Sequence, residues 1–343
     1  MNIKPKHNSI SKRIIFSMKK TVTVISFIFL CFSIPTKAYA VRYLIEEPID
    51  NTVIGEIKTV IADERDTLLD IARSHGFGYQ DMKLINTEVD TWLPVDGQEV
   101  ILPSKFILPV APMKGIVLNI PEMRLYYYPP KGKNDLQEVH TYPLGVGREG
   151  WNTPYIKTMI VEKKIKPSWH PPKSIRKEHE EAGDPLPKIV KPGPDNPLGS
   201  YAMRLGRRDY LIHGTNKPYG IGMRISHGCI RLYPEDIEEL FSKVPLETPV
   251  NIINQPYKIG VKDNVIYLEA HPFLDEDKEI YENNLTSIIS MIIKISKERE
   301  YQIDMSTAYE AIQNPNGLPV PVGMFLNSQK KKEHNKNLIS IVE

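Results

Sequence analysis

Two hydrophobic rhythms divide the chain. Between residues 58 and 103 they alternate over short distances. Residues 59–62 (Thr-Val-Ile-Ala) read as a short strand. Leu68, Leu69, Ile71 and Ala72 then recur at helical spacing behind Asp66-Thr67, which predicts a helix with a polar N-cap. His75-Gly76 ends it. Met82 and Ile85 give a second helix over 79–86, Asp96-Gly97-Gln98 a turn, and 99–103 a closing strand. The unit is βααβ. Residues 104–113 carry Pro109 and Pro112 and no helical pattern, and read as a linker.

From residue 114 the period shortens to two. Strands are predicted at 115–120 and 124–128, with Pro121-Glu122-Met123 as their turn, then at 139–144, 155–161, 201–205, 210–213 and 248–253. One helix is clear, over 234–244: Pro234 in its first turn, Glu235 and Asp236 at its positive end, and Ile237, Leu240 and Phe241 on one face. Many short strands joined by Gly/Pro turns predict a mainly β domain, a sandwich or barrel. Eight prolines between 167 and 197 argue against a helix or an inner strand there. Trp169, Leu186 and Leu198 give that stretch something to bury, so it reads as an ordered flap, with His170 and His179 as surface residues. Beyond a strand at 266–270 lies a C-terminal extension with an apolar helix over 285–295, an irregular stretch at 317–323 and a basic tail at 328–336. There are no internal repeats.

The chain has 343 residues, 41% hydrophobic and 25% charged, which suits two globular domains. A net charge of +2 gives no case for a nucleic-acid partner. The N-terminus reads as an export signal over residues 1–40: Lys12, Arg13, Lys19 and Lys20, an apolar run at 22–34 too short for a comfortable membrane span, and Ala38-Tyr39-Ala40 as a cleavage step. Met18 is an alternative start, and an uncleaved membrane anchor is the competing reading. Leu30 before Cys31 does not fit lipid attachment. Cys31 falls inside the signal, so cleavage leaves a single cysteine, Cys229.

Cys229 sits in Ser226-His227-Gly228-Cys229-Ile230-Arg231. A thiol becomes a nucleophile when a base or a positive field favours its thiolate. His213, followed by Gly214, ends a predicted strand, where its ring can face a cleft. His227 lies two residues from Cys229 and points to the same side of an extended segment. Gly228 permits close backbone approach and N–H groups aimed at an oxyanion. Arg231 offers a fork for a substrate carboxylate. Three other readings compete: an inert buried thiol, a generic cysteine peptidase, and a zinc site at His213, His227 and Cys229, which lacks a fourth ligand.

His213-Gly214-Thr215 followed by Ser226-His227-Gly228-Cys229-Ile230-Arg231-Leu232, with Asp195-Asn196-Pro197-Leu198-Gly199 ahead of them, resembles the L,D-transpeptidase (YkuD, or ErfK/YbiS/YcfS/YnhG) family over residues 114–254. The unit ahead of it resembles the LysM peptidoglycan-binding module through Asp66-Thr67-Leu68, Ile71-Ala72, Asn86, Leu93, Gly97-Gln98 and Leu102-Pro103. It departs at Arg65, where such modules usually have Gly. The resemblance implies a signal peptide (1–40), a LysM-like domain (41–103), a linker (104–113), a β-sandwich-like catalytic domain (114–254) and an extension (255–343). It implies Cys229 as nucleophile and His213 as general base and acid. The Gly214 carbonyl would orient the ring, the N–H groups of His227, Gly228 and Cys229 would form the oxyanion hole, and Arg231 and Ser226 would lie on the substrate side. No metal or cofactor is implied. The implied substrate is a peptidoglycan tetrapeptide stem in the periplasm, and the acceptor amine a second stem or an outer-membrane lipoprotein lysine. Water as acceptor would make an L,D-carboxypeptidase. A non-catalytic peptidoglycan-binding protein is the other class, against which the intact Cys229/His213 pair argues.

Overall fold

The computed structural model describes residues 41–45, 51–131, 136–207, 210–281, 285–296 and 299–326. The expected signal, with its charges, apolar run, cleavage step and Cys31, lies outside the described residues, as does the basic tail at 328–336.

The chain begins with β1 (Val41–Ile45) and β2 (Val53–Gly55), followed by the expected βααβ unit: β3 (Lys58–Ile61), α1 (Leu68–Ser74), α2 (Tyr79–Ile85) and β4 (Glu99–Leu102). Thr67 caps α1 reciprocally. Its Oγ1 accepts from the Asp70 N–H at 3.1 Å, and the Asp70 carboxylate accepts from the Thr67 N–H at 3.1 Å. Asn86, at the end of α2, fastens the helices to β4. Its amide donates to the carbonyls of Met82 and Ile101, and its oxygen accepts from the Ile101 N–H. Segment 104–113 is not a free linker, because it contains β5 (Lys105–Ile107), paired antiparallel with β2. Both of its prolines follow the strand, so the N–H groups of 105–107 remain available for pairing.

The larger part comprises β6 (Gly115–Asn119), β7 (Arg124–Tyr128), β8 (Gln137–Pro143), β9 (Val146–Gly147), β10 (Lys157–Ile165), α3 (Lys173–Glu181), β11 (Tyr201–Leu205), β12 (Leu211–His213), β13 (Arg224–Ser226), β14 (Ile230–Arg231), α4 (Pro234–Lys243) and β15 (Pro249–Ile253). One nine-stranded sheet runs β1-β8-β7-β6-β15-β10-β11-β12-β14. Its strands pair antiparallel except β15 with β6 and β12 with β14. The sequence places residues 41–103 together, but β1 pairs with β8 and so belongs to this sheet.

Both faces of β6 and β7 are buried, and the two-residue period sorts their side chains into two cores. Ile116, Leu118, Leu125 and Tyr127 face a core with Ile212, Ile230 and the α4 residues Ile237 and Leu240. Val117, Tyr126 and Tyr128 face a core with Leu68, Ile71, Phe77 and Met82 of the βααβ unit. The small unit is therefore one wall of the sheet's packing rather than a tethered neighbour. Polar ties follow the same seam. Buried Arg124 on β7 donates to Asp81 on α2 at 2.6 Å, and its guanidinium lies 4.4 Å from the Phe106 ring centroid. Arg73 on α1 donates to Glu235 on α4 through Nε at 2.7 Å and Nη2 at 3.0 Å.

The Pro-rich flap holds a helix after all. α3 occupies the proline-free interval between Pro172, its N-cap, and Pro185. A proline at a helix start removes an N–H that has no helical partner anyway. The flap is braced as well: Trp169 and Val190 exchange backbone hydrogen bonds at 2.9 Å, and buried Asn196 donates to the carbonyl of Pro167 at 2.8 Å.

The C-terminal part contains β16 (Tyr257–Lys262), β17 (Val265–Ala270), α5 (Lys278–Tyr281), α6 (Leu285–Ser296), β18 (Tyr301–Ile303), α7 (Met305–Gln313) and β19 (Val320–Phe325). The stretch read as irregular at 317–323 ends in β19, an inner strand of the sheet β16-β17-β19-β18. Pro321 is tolerated there because it faces Tyr267 at a register shift, where a bulge already interrupts the ladder. Lys258 on β16 anchors this sheet to the rest. Its wholly buried ammonium lies 2.9 Å from Glu122, 2.6 Å from Glu269 and 2.7 Å from the Ile107 carbonyl. Glu122, Glu269 and His271 have a donor set that could hold a metal, but that cluster already contains the Lys258 cation.

Candidate active site

β12 and β14 lie side by side and parallel, with Ile212 opposite Ile230 and His213 opposite Arg231. Isoleucine at both inner positions fixes the pair into the core, so the next residues emerge together at one end. Between β13 and β14 the chain turns sharply through His227, Gly228 and Cys229. Gly228 takes φ +95°, a backbone conformation that favours glycine, and a Cβ there would also stand a tight 3.3 Å from the Trp151 carbonyl oxygen. The carbonyls of this turn are pinned. Ser226 Oγ donates to the Cys229 carbonyl at 2.6 Å, Thr153 Oγ1 donates to the Gly228 carbonyl at 3.1 Å, and the Arg148 N–H donates to the Ser226 carbonyl at 2.9 Å.

His213 is 3% exposed. Its Nδ1 lies 2.6 Å from the Gly214 carbonyl oxygen. A carbonyl only accepts, so Nδ1 carries the proton, and Nε2 is the basic nitrogen of the neutral ring. Burial pushes the pKa of His213 down to about 3. The Arg231 charge adds to that shift, and carbonyl contacts at Gly214 and Leu198 partly oppose it. The ring is thus held neutral, with Nε2 carrying no proton. Arg231 is itself pulled below the usual arginine value by burial and back up by Cys229. The same guanidinium that disfavours imidazolium favours a thiolate. Arg231 Nε is buried and has no hydrogen-bond partner among the described residues.

Cys229, His213, His227, Arg231 and Ser226 line one cavity of about 880 Å³, while Gly214 and Gly228 serve it through their backbones. The cavity's other walls include Trp151, Trp169, Ile175, Leu198 and Tyr210, with Arg204 and Arg207 at its side. Cys229 is half-buried, so its thiol is both reachable and shielded. His170, read as a surface residue, is exposed and lines the same cavity; His179 faces Asp184 at 3.3 Å. Every site residue named from the sequence is therefore brought to one place. The sequence did not reveal that α3 reaches across the flap. Glu178 pairs with Arg148, and its other oxygen lies 3.3 Å from His227 Nε2.

The L,D-transpeptidase catalytic domain (YkuD) family matches residues 113–252. Over 312 residues the chain is 39% identical to the probable L,D-transpeptidase YbiS of Escherichia coli (strain K12), covering 88% of this chain and 98% of that one. It is 38% identical over 280 residues to the probable L,D-transpeptidase ErfK/SrfK of the same strain, covering 80% and 89%. It is also 38% identical over 285 residues to that strain's probable L,D-transpeptidase YcfS, covering 80% and 86%. With such identity carried across nearly the whole length of these relatives, and with cysteine, histidine and arginine gathered in one cavity, the chain belongs to the L,D-transpeptidase family.

Proposed function

We propose that this protein is a periplasmic L,D-transpeptidase that acts on peptidoglycan tetrapeptide stems through a thioester on Cys229. The observation that carries the reading is the buried, neutral His213 ring in one cavity with Cys229 and Arg231, its Nδ1 proton fixed by Gly214. The thiol gives its proton to His213 as sulfur attacks the carbonyl at the L-centre of diaminopimelate. The oxyanion is met by the N–H groups of His227, Gly228 and Cys229. The C–N bond breaks, His213 returns the proton to the departing D-Ala amine, and a thioester remains. An incoming amine then gives its proton to His213 while its nitrogen displaces the thiolate and forms the new amide. That amine belongs to a second stem or to a lysine of an outer-membrane lipoprotein. Arg231 and Ser226 steady the donor. The βααβ unit serves as a glycan-binding wall. Its loop between α2 and β4 presents Trp92, Leu93 and Val95 to solvent, apolar surface of the kind a sugar ring covers.

A carbapenem tests the nucleophile, because its strained amide carbonyl can fill the oxyanion site. Intact mass spectrometry should find one adduct, on Cys229. Cys229→Ser should form almost none, and His213→Ala should acylate on the order of a hundredfold or more slowly. Equal labelling of Cys229→Ser would place the nucleophile elsewhere.

A further inference from the structure

Among the described residues, the cavity around Cys229 is lined by Arg204, Arg207 and Arg231 and by no acidic one. Such a wall attracts anions. Beside it stands a fourth arginine, Arg148, whose backbone N–H holds the Ser226 carbonyl of the Cys229 turn at 2.9 Å. Its Nη2 lies 3.3 Å from His227 Nε2. The His227 ring is set edge-on against Trp151, with centroids 4.9 Å apart and planes at 82°. Into this corner α3 inserts the Glu178 carboxylate. One oxygen accepts from Arg148 Nη2, and the other lies 3.3 Å from His227 Nε2. Arg148 Nε is buried and has no hydrogen-bond partner among the described residues, so half of the guanidinium fork is still unspent.

From this geometry we propose that Arg148 and the His227 side chain form a carboxylate subsite beside Cys229. The flap's own Glu178 fills it until a carboxylate of the substrate displaces it. The inference rests on the transpeptidase reading for the identity of that substrate. A tetrapeptide stem offers three carboxylates: the α-carboxylate of its γ-linked D-Glu, that on the D-centre of diaminopimelate and that on the terminal D-Ala. The pair that must be broken is weakly held: the side chains of Arg148 and Glu178 are 40% and 39% exposed, so solvent screens their attraction. A substrate carboxylate anchored by the rest of its peptide competes with an effective concentration in its favour. Glu178 thereby sets a threshold. Ligands without a carboxylate at this position leave the flap latched, and the correct stem releases it.

The test measures binding by calorimetry to the full chain carrying Cys229→Ala, so that no turnover intervenes. Four tetrapeptides serve as probes: unmodified, amidated at the D-Glu α-carboxylate, amidated at the D-centre, and amidated at the terminal D-Ala. Glu178→Gln removes the competitor's charge with little change of shape. It should tighten the unmodified peptide about two- to fivefold, the range a screened ion pair spans. It should leave unchanged the peptide whose displacing carboxylate has been amidated, and the three amides identify which carboxylate that is. Arg148→Gln should abolish the preference for the carboxylate over that amide. If Glu178→Gln changes all four peptides alike or weakens them, or if Arg148→Gln retains the preference, the subsite does not exist. Turnover of the unmodified peptide by the Cys229-containing chain is scored separately. Turnover without a carboxylate preference removes the subsite and leaves the transferase, whereas a preference without turnover does the reverse.

Discussion

Acid should destabilise this protein through His213. The ring is 3% exposed, and its pKa is pushed from 6.5 to about 3, first by burial and then by Arg231. In the unfolded chain the ring takes a proton as pH falls through 6.5, whereas the folded chain resists until about pH 3. Between those values the unfolded state holds one proton more, so stability falls as pH falls, by about 1.4 kcal/mol per pH unit. The contribution is whole above pH 6.5. About 3 kcal/mol of it is gone at pH 4.5, and roughly 5 kcal/mol near pH 3. Against a total of about 5–15 kcal/mol for an ordinary domain, that loss decides whether the site survives. Urea unfolding at pH 7.5, 6.0, 5.0 and 4.5 would measure it, on wild type and His213→Gln in parallel. Carboxylates common to both cancel in the difference. The stability gap between the two should shrink by about 3 kcal/mol between neutral pH and 4.5. Parallel stability curves would refute the reasoning, since they would mean that His213 titrates in the folded protein as it does in the unfolded chain.

Other parts of the fold make equally direct statements. Lys258→Met strands Glu122 and Glu269, both at most 1% exposed in their side chains, and should cost about 3–5 kcal/mol in urea unfolding. Adding Glu122→Gln and Glu269→Gln should recover most of that, and a loss under about 1 kcal/mol for Lys258→Met alone would show the network to be dispensable. A chain cut to begin at residue 113 bares Val117, Tyr126, Tyr128 and Val139 and leaves Arg124 without Asp81. It should show no cooperative thermal transition and weak near-ultraviolet circular dichroism, and a sharp transition with carbapenem labelling intact would mean that the small unit is a detachable accessory.

The site was legible because its chemistry is local. Residues 226–231 form one turn, and a single parallel pairing, β12 with β14, brings His213 to it. The βααβ unit was legible for the same reason: Thr67 and Asp70 cap a helix three residues at a time. Contacts without a period were not legible. Glu178 reaches Arg148 across 30 residues, and Arg148 reaches His227 across 79. A charged residue in a strand, such as Arg124 or Lys258, reads as a solvated position until its partner is found on another element. Tyr126-Tyr127-Tyr128 did carry a signal of the shared core. Three apolar neighbours in a strand cannot all face one side, so a second covering layer is required. The prolines of the flap misled because their number was counted before their spacing. The interval from Lys173 to Glu181 is free of them.

The two ends of that flap are held by interactions of different strength, and this sets what it can do. At its base Asn196 is wholly buried, and its amide donates to the carbonyls of Pro167, Val190 and Lys191. Losing the bond to Pro167 would leave that buried carbonyl unsatisfied, at about 1–3 kcal/mol. At its tip, α3 meets the Cys229 turn through Glu178, Arg148 and His227, a half-exposed cluster of the kind worth about 0–1 kcal/mol. Thermal motion and a competing anion therefore act on the tip long before they disturb the base. Beneath it, β14 is a two-residue strand at the edge of the nine-stranded sheet, fixed on one side by β12 and bridged to Gly145 on the other. The backbone carrying Cys229 is rigid while the cover above it is releasable, which is the combination the proposed acyl transfer needs in order to admit two substrates in turn and exclude water between them.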